Sequence, residues 1–324
     1  MPEREGPPYD PEMKPPYLAL TYKCNKSCDF CFNKGLGNRF SRDMELSDFE
    51  KVVKWLSAQG IDMVGLLGGE PTLYPKLAEA LDICQRNKVC AVFCTNGLFK
   101  DMPDIFFDDS VVTEISVHIL SMEKYEKGEW KMLQSNLKRI SKMKILLLMK
   151  STILSPSDSF SHLFDAAKKY RASEITIGPA VPGSMGENSF VKKEKFSELK
   201  GKLIDMCREG ARKEVKCSLG APLPLCIFTA GERNYLKRFD LHAVCNRENF
   251  VPPVIIRPDL SFQACGMLPL EKKDICSFNS MKDARFHFKK EFDKIKWKPF
   301  YPECVSCIYH LRRQCQGACL SYKL

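Results

Sequence analysis

The stretch YKCNKSCDFCFNKG, at residues 22–35, holds three cysteines, Cys24, Cys28 and Cys31, at the spacing Cys-x3-Cys-x2-Cys. Structural zinc is usually held by four ligands in a closed tetrahedron, and no fourth cysteine lies nearby. Three thiolates on a four-iron, four-sulfur cluster leave one iron free for another ligand. The spacing therefore favours an iron–sulfur cluster with an open position over a zinc site with a distant fourth ligand, or over free buried thiols.

The composition, 44% hydrophobic and 28% charged over 324 residues, is typical of a globular protein with a sizeable core. Its N-terminus, MPEREGPPYDPEMKPPY, lacks the apolar segment of a signal peptide. No apolar stretch approaches the ~20 residues of a membrane helix. We therefore expect a cytoplasmic protein without a membrane partner. Its sixteen cysteines are not expected to form disulfides, and the clustered ones are expected to bind metal or do chemistry.

Six short apolar segments predict strands that are buried on both faces, as in a parallel sheet. Their predicted bounds are Tyr17–Lys23, Met63–Leu67, Val89–Thr95, Glu114–Leu120, Ile145–Ile153 and Glu174–Ile177. Helical patterns fill the intervals, and the clearest begins at Ser47, where Glu50 three residues later predicts a capping box. Two later helices are predicted within 121–143 and 158–172. The alternation predicts an α/β fold, a partial (β/α)6 barrel with parallel strands and its ligands at their carboxyl ends.

The predicted domain organisation has four parts. An N-terminal extension covers 1–15, the barrel 16–183, a helical linker 184–225 and a small cysteine-rich domain 226–324. After about residue 215 prolines and cysteines become frequent and helical periodicity fades. We expect this tail to be held together by ligands rather than by a large apolar core.

Two glycine-containing loops follow predicted strands. LLGGEPTLYP places Gly68, Gly69, Glu70 and Pro71 after the second strand, where glycine permits close backbone approach. Backbone carbonyls and Glu70 there can accept hydrogen bonds from an ammonium group, and a simple turn is the alternative. CTNG places Thr95 and Asn96 after the third strand, where the alternative is again a common turn.

Two later strands carry weaker signals. Ser116 and His118 alternate with apolar residues on the fourth strand and are predicted to point into the barrel. On the sixth strand, the segment ITIG ends in Ile177 and Gly178.

The cysteine spacing, with the aromatic Phe30 directly before Cys31, resembles the signature of the radical SAM enzymes. The resemblance implies a [4Fe-4S] cluster whose open iron binds S-adenosyl-L-methionine (SAM). It also implies that Gly68–Pro71 hold the methionyl amine and that the loops and strands above line the SAM pocket. Ile177 and Gly178 would pack on adenine, and Ser116 or His118 would touch the ribose or the substrate.

The tail carries a second set of cysteines, which is interpreted as an iron–sulfur site, with a zinc ribbon as the alternative interpretation. Its members are Cys245, Cys265, Cys304, Cys307, Cys315 and Cys319. The arrangement resembles the SPASM or Twitch extension of radical SAM enzymes, which holds one or two auxiliary [4Fe-4S] clusters. Seven residues separate Cys307 from Cys315 where the family usually has five, and Leu260 stands where it usually has a glycine.

The resemblance leaves two arrangements of the tail open. In a full SPASM domain Cys245, Cys265 and Cys319 hold one cluster, with Cys226 as a candidate fourth ligand. The other three cysteines then hold a second cluster with a missing or non-cysteine fourth ligand. In a Twitch domain Cys245, Cys265, Cys304 and Cys307 hold a single cluster. The other cysteines, Cys84, Cys90, Cys94, Cys207, Cys217 and Cys276, are interpreted as buried small hydrophobes.

The resemblance implies an oxidoreductase-type enzyme that cleaves SAM to a 5′-deoxyadenosyl radical and abstracts a hydrogen atom from its substrate. A ribosomally made peptide or protein is the first expectation, and a sugar, nucleoside or tetrapyrrole is the alternative. A reductant such as flavodoxin or ferredoxin is implied, and a separate peptide-recognition protein is a possible further partner. The net charge of +10 is explained by a solvated lysine-rich surface. Nucleic acid is therefore not an expected partner, and RNA modification and a non-catalytic iron–sulfur protein are minor alternatives.

Overall fold

The computed structural model describes residues 15–245, 253–272 and 274–324. Nearly all of the predicted N-terminal extension therefore lies outside the described residues. The domain boundaries predicted above stay predictions.

One sheet runs through the molecule, and among the described residues it has ten strands in the order β10-β9-β8-β1-β2-β3-β4-β5-β6-β7. The strands are β1 Tyr17–Thr21, β2 Met63–Gly68, β3 Cys90–Thr95, β4 Val112–His118, β5 Leu146–Ile153, β6 Glu174–Pro179, β7 Cys217–Leu219, β8 Val254–Ile256, β9 Phe262–Ala264 and β10 Glu271–Lys272. The pairings from β8 through β1 to β7 are parallel, whereas β9 is antiparallel to β8 and to β10. The sheet stays open, with β7 and β10 at its edges.

The six strands predicted from sequence correspond to β1–β6, and each bound lies within two residues of the prediction. The α/β partial barrel is therefore confirmed. The strands β7 and β8–β10 were not predicted, because each is only two or three residues long and carries little periodicity of its own.

The α-helices lie between and after the strands along the chain. They are α1 Leu36–Arg39, α2 Leu46–Ser57, α3 Leu77–Arg86, α4 Glu129–Ile140, α5 Ser161–Lys169, α6 Phe196–Arg212, α7 Ala230–Leu236, α8 Met281–Lys296 and α9 Ile308–Leu311. In α2 the residues Phe49, Val52, Val53 and Leu56 form the buried stripe, as the 3.6-residue period requires.

Two local predictions about helices are wrong. The N-cap of α2 is Glu45 without a side-chain hydrogen bond, and Ser47 lies inside the first turn, so the predicted capping box does not form. The helix predicted within 121–143 is shorter than expected. Gly128 adopts a φ of 90°, which stops a helix, and α4 begins only after it.

The C-terminal segment is more ordered than its composition suggested. The 16-residue helix α8 lies where helical periodicity was expected to fade, and Ser280 caps it by accepting a hydrogen bond from the backbone N–H of Asp283. Phe288 of α8 and Phe262 of β9 belong to the same apolar core as Leu18 of β1. The expectation of a tail held mainly by ligands is therefore wrong, because its apolar side chains extend the main core.

Candidate functional site

The three cysteines of the opening stretch lie in the loop that leaves the carboxyl end of β1. Burial raises the pKa of each thiol, and the neighbouring charges of Cys31 and Cys24 add to the rise at Cys28, whose pKa reaches about 11. The three sulfur atoms therefore lie close enough to influence one another. The backbone N–H of Lys26 donates to the Cys24 sulfur at 3.4 Å.

Gly68 and Gly69 bring the end of β2 against this loop. The backbone N–H of Gly69 donates to the carbonyl of Thr21 at 2.7 Å. A Cβ on Gly69 would overlap the carbonyl oxygen of Lys23, and one on Gly68, whose φ is +142°, would overlap that of Thr21. Glycine is required at both positions because the two backbones are in direct contact.

Glu70 lies beneath the loops after β2 and β3 and is only 1% exposed. Its predicted acceptance of a hydrogen bond from a ligand ammonium group stays a prediction. One carboxylate oxygen accepts from the hydroxyls of Thr72 and Thr95, each at 2.7 Å, and the other accepts from the backbone N–H of Asn96 at 2.7 Å. Burial raises the pKa of Glu70, and these donors oppose the rise. Glu70 therefore fixes the loop after β2 to the loop after β3.

The loop after β3 also reaches the cysteines. The side-chain amide of Asn96 donates to the side-chain oxygen Oδ1 of Asn25 at 2.7 Å and lies 3.9 Å from the Cys24 sulfur. Asn25 in turn donates to the carbonyl of Leu98 at 2.7 Å. The loops after β1, β2 and β3 are thus one connected unit at the carboxyl edge of the sheet.

The fourth strand adds polar groups beside this unit. His118 lies against Phe30, with 5.4 Å between ring centroids. Burial and the positive charge of Lys150 lower the pKa of His118 to about 4, so the ring is neutral near pH 7. Neither His118 Nε2 nor Ser116 Oγ has a hydrogen-bond partner in the described part of the chain, although both atoms are buried. Unpaired buried polar groups of this kind are suited to meeting a ligand.

Strand alternation divides the remaining predicted residues between the two faces. Ile177 is fully buried in the apolar core with Ile175, so its side chain does not face the cysteine loop. Gly178 lies on the opposite, inner face. The packing of ITIG on a ligand stays a prediction, with Gly178 and Thr176 on the face that would make it.

The six tail cysteines and Cys226 separate into two groups. Burial raises the pKa of Cys265, and the charges of Cys319 and Cys245 raise it further. Burial likewise raises the pKa of Cys245 to about 12, with a further contribution from the charge of Cys319. The charges of Cys315, Cys304 and Cys307 instead act on Cys226. The structure thus brings Cys245, Cys265 and Cys319 together, and Cys226, Cys304, Cys307 and Cys315 together.

A cavity of about 640 Å³ lies beside the first of these groups, between the loop after β6 and the C-terminal segment. Met267 and Ser321 line it, and both contact the thiols. The sulfur of Met267 lies 3.6 Å from that of Cys265, and the Ser321 hydroxyl donates to the Cys319 sulfur at 3.3 Å. Next to Cys265, a Cβ on Gly266 would lie 2.6 Å from the ring of Phe32, which follows Cys31. The three-thiol group therefore adjoins both the cavity and the opening cysteine loop.

Residues 18–154 match the radical SAM superfamily. This part of the chain is therefore a radical SAM domain. Curated relatives include the probable GTP 3′,8-cyclase of Methanococcus maripaludis strain C5, 25% identical over 37% of this chain and 41% of the relative. They also include an S-adenosylmethionine-dependent nucleotide dehydratase of a Thermoplasmatales archaeon (strain ISO4-H5), 40% identical over 18% of this chain and 20% of the relative. The matched segments cover at most about two fifths of either relative.

Two solved structures resemble almost the whole of this chain. Streptococcus suis SuiB bound to its precursor peptide SuiA matches with a TM-score of 0.67 and 17% identity, over 94% of this chain and 72% of SuiB. The enzyme anSMEcpe with bound AdoMet matches with a TM-score of 0.65 and 16% identity, over 94% of this chain and 89% of anSMEcpe. At these identities the likeness shows the fold alone.

The donor set of this chain fits iron–sulfur clusters. Within the described residues, no three or more His, Cys, Asp or Glu side chains gather as they would around a single metal ion. Thiolates on a four-iron cluster bind separate corner irons, which requires thiols that are near one another but spaced apart. N–H donors to the Cys24, Cys304 and Cys315 sulfurs, at 3.3–3.4 Å, are typical of cluster ligands. In the same part of the chain, no helix is long and apolar enough to cross a membrane.

Sequence reasoning missed three groups on the inner face of the sheet. Lys150 acts on the pKa values of Cys94, Glu114 and His118, so the four side chains lie near one another. Cys94 was interpreted as a buried hydrophobe, yet its thiol shares this polar face. The signal was present in the sequence, since Glu114, Ser116 and His118 occur at every second position and Lys150 interrupts an apolar strand.

Proposed function

We propose that this radical SAM enzyme uses SAM to abstract a hydrogen atom from a peptide or protein substrate, giving a net oxidation or a cross-link. The observation that carries the proposal is the connected unit of three loops, in which three thiols, two obligatory glycines and the Asn96 amide meet at one edge of the sheet. When bound there, the cluster supplies the electron that cleaves SAM to methionine and a 5′-deoxyadenosyl radical.

Residues of the chain at this edge of the sheet are placed to bind both the cluster and SAM. Cys24, Cys28 and Cys31 would hold the cluster, and their raised pKa values mean that iron must displace the thiol protons. Glu70 holds the loops after β2 and β3 in place, which leaves backbone carbonyls of Gly68–Pro71 to receive the methionyl amine. Phe30, Ser116, His118 and Gly178 would line the adenosyl side, and Asn96 the cluster side.

The two tail groups of thiols would hold auxiliary [4Fe-4S] clusters, in a SPASM-like domain. Such a cluster supplies a site to which the electron left on the substrate can pass. The contact of Phe32 with Gly266 brings the three-thiol group next to the opening cysteine loop, which shortens the distance for electron transfer between the two sites. A cytoplasmic reductant such as ferredoxin or flavodoxin would supply the first electron.

A peptide substrate is supported by the cavity of about 640 Å³ and by the fold shared with SuiB and anSMEcpe. The cavity combines apolar lining from Phe190 and Met267 with charges from Lys192 and Glu194, a mixture that suits a peptide with several side chains. A separate recognition protein would then deliver or orient the peptide.

A nucleotide substrate is the second candidate. The curated relatives act on nucleotides by their names, and Lys150 places a positive charge on the inner face, where it would meet an anionic group. In this case the enzyme would catalyse a bond-forming or elimination reaction on a small molecule.

The test counts iron and sulfide in the full chain after anaerobic reconstitution, and measures 5′-deoxyadenosine formed from SAM with dithionite. At about four irons per cluster, we expect about twelve irons for the wild type. Changing Cys24, Cys28 and Cys31 to Ala should remove about four irons and abolish SAM cleavage, whereas Cys276→Ala should change neither. Unchanged iron in the triple variant would contradict the proposal at its base.

The substrate class is tested by adding candidate substrates to the same reaction. A short peptide encoded beside this gene should raise 5′-deoxyadenosine formation and change mass, whereas GTP and CTP should have no effect. Stimulation by a nucleotide alone would replace the peptide assignment with the nucleotide one.

A further inference from the structure

Cys226 lies in a short turn, Leu225–Ile227, that is held against the loop carrying Cys307 and Cys315. The Arg233 guanidinium donates to the carbonyl of Leu225 at 3.2 Å and lies 5.5 Å from the ring centroid of Tyr309. The carbonyl of Tyr309 in turn accepts from the backbone N–H of Cys315 at 3.1 Å. One arginine thus fixes the Cys226 turn to the middle of the terminal cysteine loop.

Backbone N–H groups orient two of the other three thiols of this group. The N–H of Tyr301 donates to the Cys304 sulfur at 3.4 Å, and the N–H of Gly317 donates to the Cys315 sulfur at 3.3 Å. Cys307 follows Cys304 by one turn, with its N–H donating to the Cys304 carbonyl at 3.2 Å. Cys226 itself is exposed, so its thiol is accessible from outside the group.

We propose that Cys226 is the fourth cysteine ligand of the cluster held by Cys304, Cys307 and Cys315. The proposal rests on the proposed function in one respect, because it takes the tail thiols to be iron–sulfur ligands. Cys226 precedes Cys245 in the chain, yet the proposal assigns it to the C-terminal group of Cys304, Cys307 and Cys315. The group of Cys245, Cys265 and Cys319 is then left with three thiolates and one open position, beside the cavity of about 640 Å³.

Two exposed cysteines provide an internal comparison. Cys226 and Cys276 are both exposed, but Cys276 belongs to neither thiol group. A brief iodoacetamide pulse on the anaerobically reconstituted full chain, followed by peptide mass spectrometry, should label Cys226 at least about tenfold more slowly than Cys276, because a bound thiolate is protected. After the iron is removed with a chelator, the two rates should become comparable.

A substitution gives the second readout. We expect Cys226→Ala to lose between about one and four irons per chain and to alter the Mössbauer and EPR signals of one cluster. Cys276→Ala should keep the wild-type iron content and spectra. Equal labelling of Cys226 and Cys276 in the iron-loaded protein, or unchanged iron and spectra in Cys226→Ala, would overturn the proposal.

The iron content of the wild type separates this proposal from the proposed function. If the wild type holds only about four irons and the triple variant loses them, the auxiliary clusters are absent and the assignment of Cys226 fails, whereas the SAM-cleaving cluster of the proposed function stands. If it holds about eight or twelve irons and Cys226 is freely labelled, the auxiliary clusters stand and only the assignment of Cys226 is wrong.

Discussion

At the residue scale, the inner face of the sheet depends on a few buried polar groups whose protonation the fold controls. His118 is the clearest case, since its Nε2 is buried against Phe30 and faces the charge of Lys150. A histidine kept neutral in this way can accept or donate a hydrogen bond without carrying a charge to the site.

The depressed pKa of His118 has a consequence for stability. Its folded-state pKa is about 4 and its ordinary value is 6.5, so between these values the unfolded chain binds more protons. The contribution of His118 to the free energy of unfolding is therefore largest above about pH 6.5. Below that pH it falls by up to about 1.4 kcal/mol per pH unit.

The measurement is the difference in unfolding free energy between the wild type and His118→Asn, from pH 7.5 to 4.5. The wild type should lose stability relative to the variant as the pH falls. Because the variant keeps every proposed cluster ligand, acid loss of clusters cancels in the difference. A flat profile for His118→Asn would show that the ring is not held neutral.

At the scale of elements, the helices show how similar sequence signals have different outcomes. Ser47 precedes Glu50 by three residues and looks like a cap, yet it lies within α2 and makes no capping hydrogen bond. Ser280 has no Glu or Gln three residues later, yet its hydroxyl accepts from the N–H of Asp283 at 3.1 Å. The difference arises because Glu45 already adopts the extended backbone that starts α2.

This pair gives a matched test. We expect Ser280→Ala to lower the free energy of unfolding by about 1 kcal/mol, because an N-cap hydrogen bond is lost. Ser47→Ala should be neutral or slightly stabilising, since alanine is the better residue inside a helix. Denaturant unfolding of the two variants checks this, and equal losses would mean that Ser47 does cap α2.

At the scale of the whole molecule, an ion-pair network centred on a buried arginine joins the tail to the N-terminal half. Arg257, directly after β8, is fully buried, and its Nη1 lies 2.8 Å from Glu271 Oε1. The Glu271 carboxylate also accepts hydrogen bonds from both terminal nitrogens of Arg39 in α1, at 2.9 and 2.6 Å. Arg257 further acts on Tyr22, which precedes the cysteine loop, and burial raises the pKa of Tyr22 to about 12.

Removing the shared carboxylate should therefore be costly. We expect Glu271→Gln to lower the free energy of unfolding by about 3 kcal/mol, because the buried Arg257 charge loses its partner. The exposed pair Lys195–Glu198 supplies the control, and Glu198→Gln should cost under about 1 kcal/mol. If both variants lose the same small amount by denaturant unfolding, Arg257 is compensated by other groups.

Much of the barrel was predictable from sequence because its determinants are local. Each of β1–β6 is either a run of apolar residues or an alternation of apolar and polar ones, and helices such as α2 and α6 repeat apolar residues every three or four positions. The very short strands β7–β10 carry no such period, and they exist only because neighbouring strands supply their hydrogen-bond partners. The helix α8 could have been found, since Met281, Ala284, Phe288, Phe292 and Ile295 follow the helical period.

The sequence by itself determined the cysteine spacing, the glycine pair and the alternation of strands and helices, because each depends on residues close together in the chain. The tertiary structure decided which face each side chain occupies and which distant groups meet. It buried Glu70 beneath two loops, joined Lys150, Cys94 and Glu114 on one face, and placed Cys226 with cysteines about 80 residues away. Such contacts follow from the packing of strands and loops, to which spacing along the chain gives no guide.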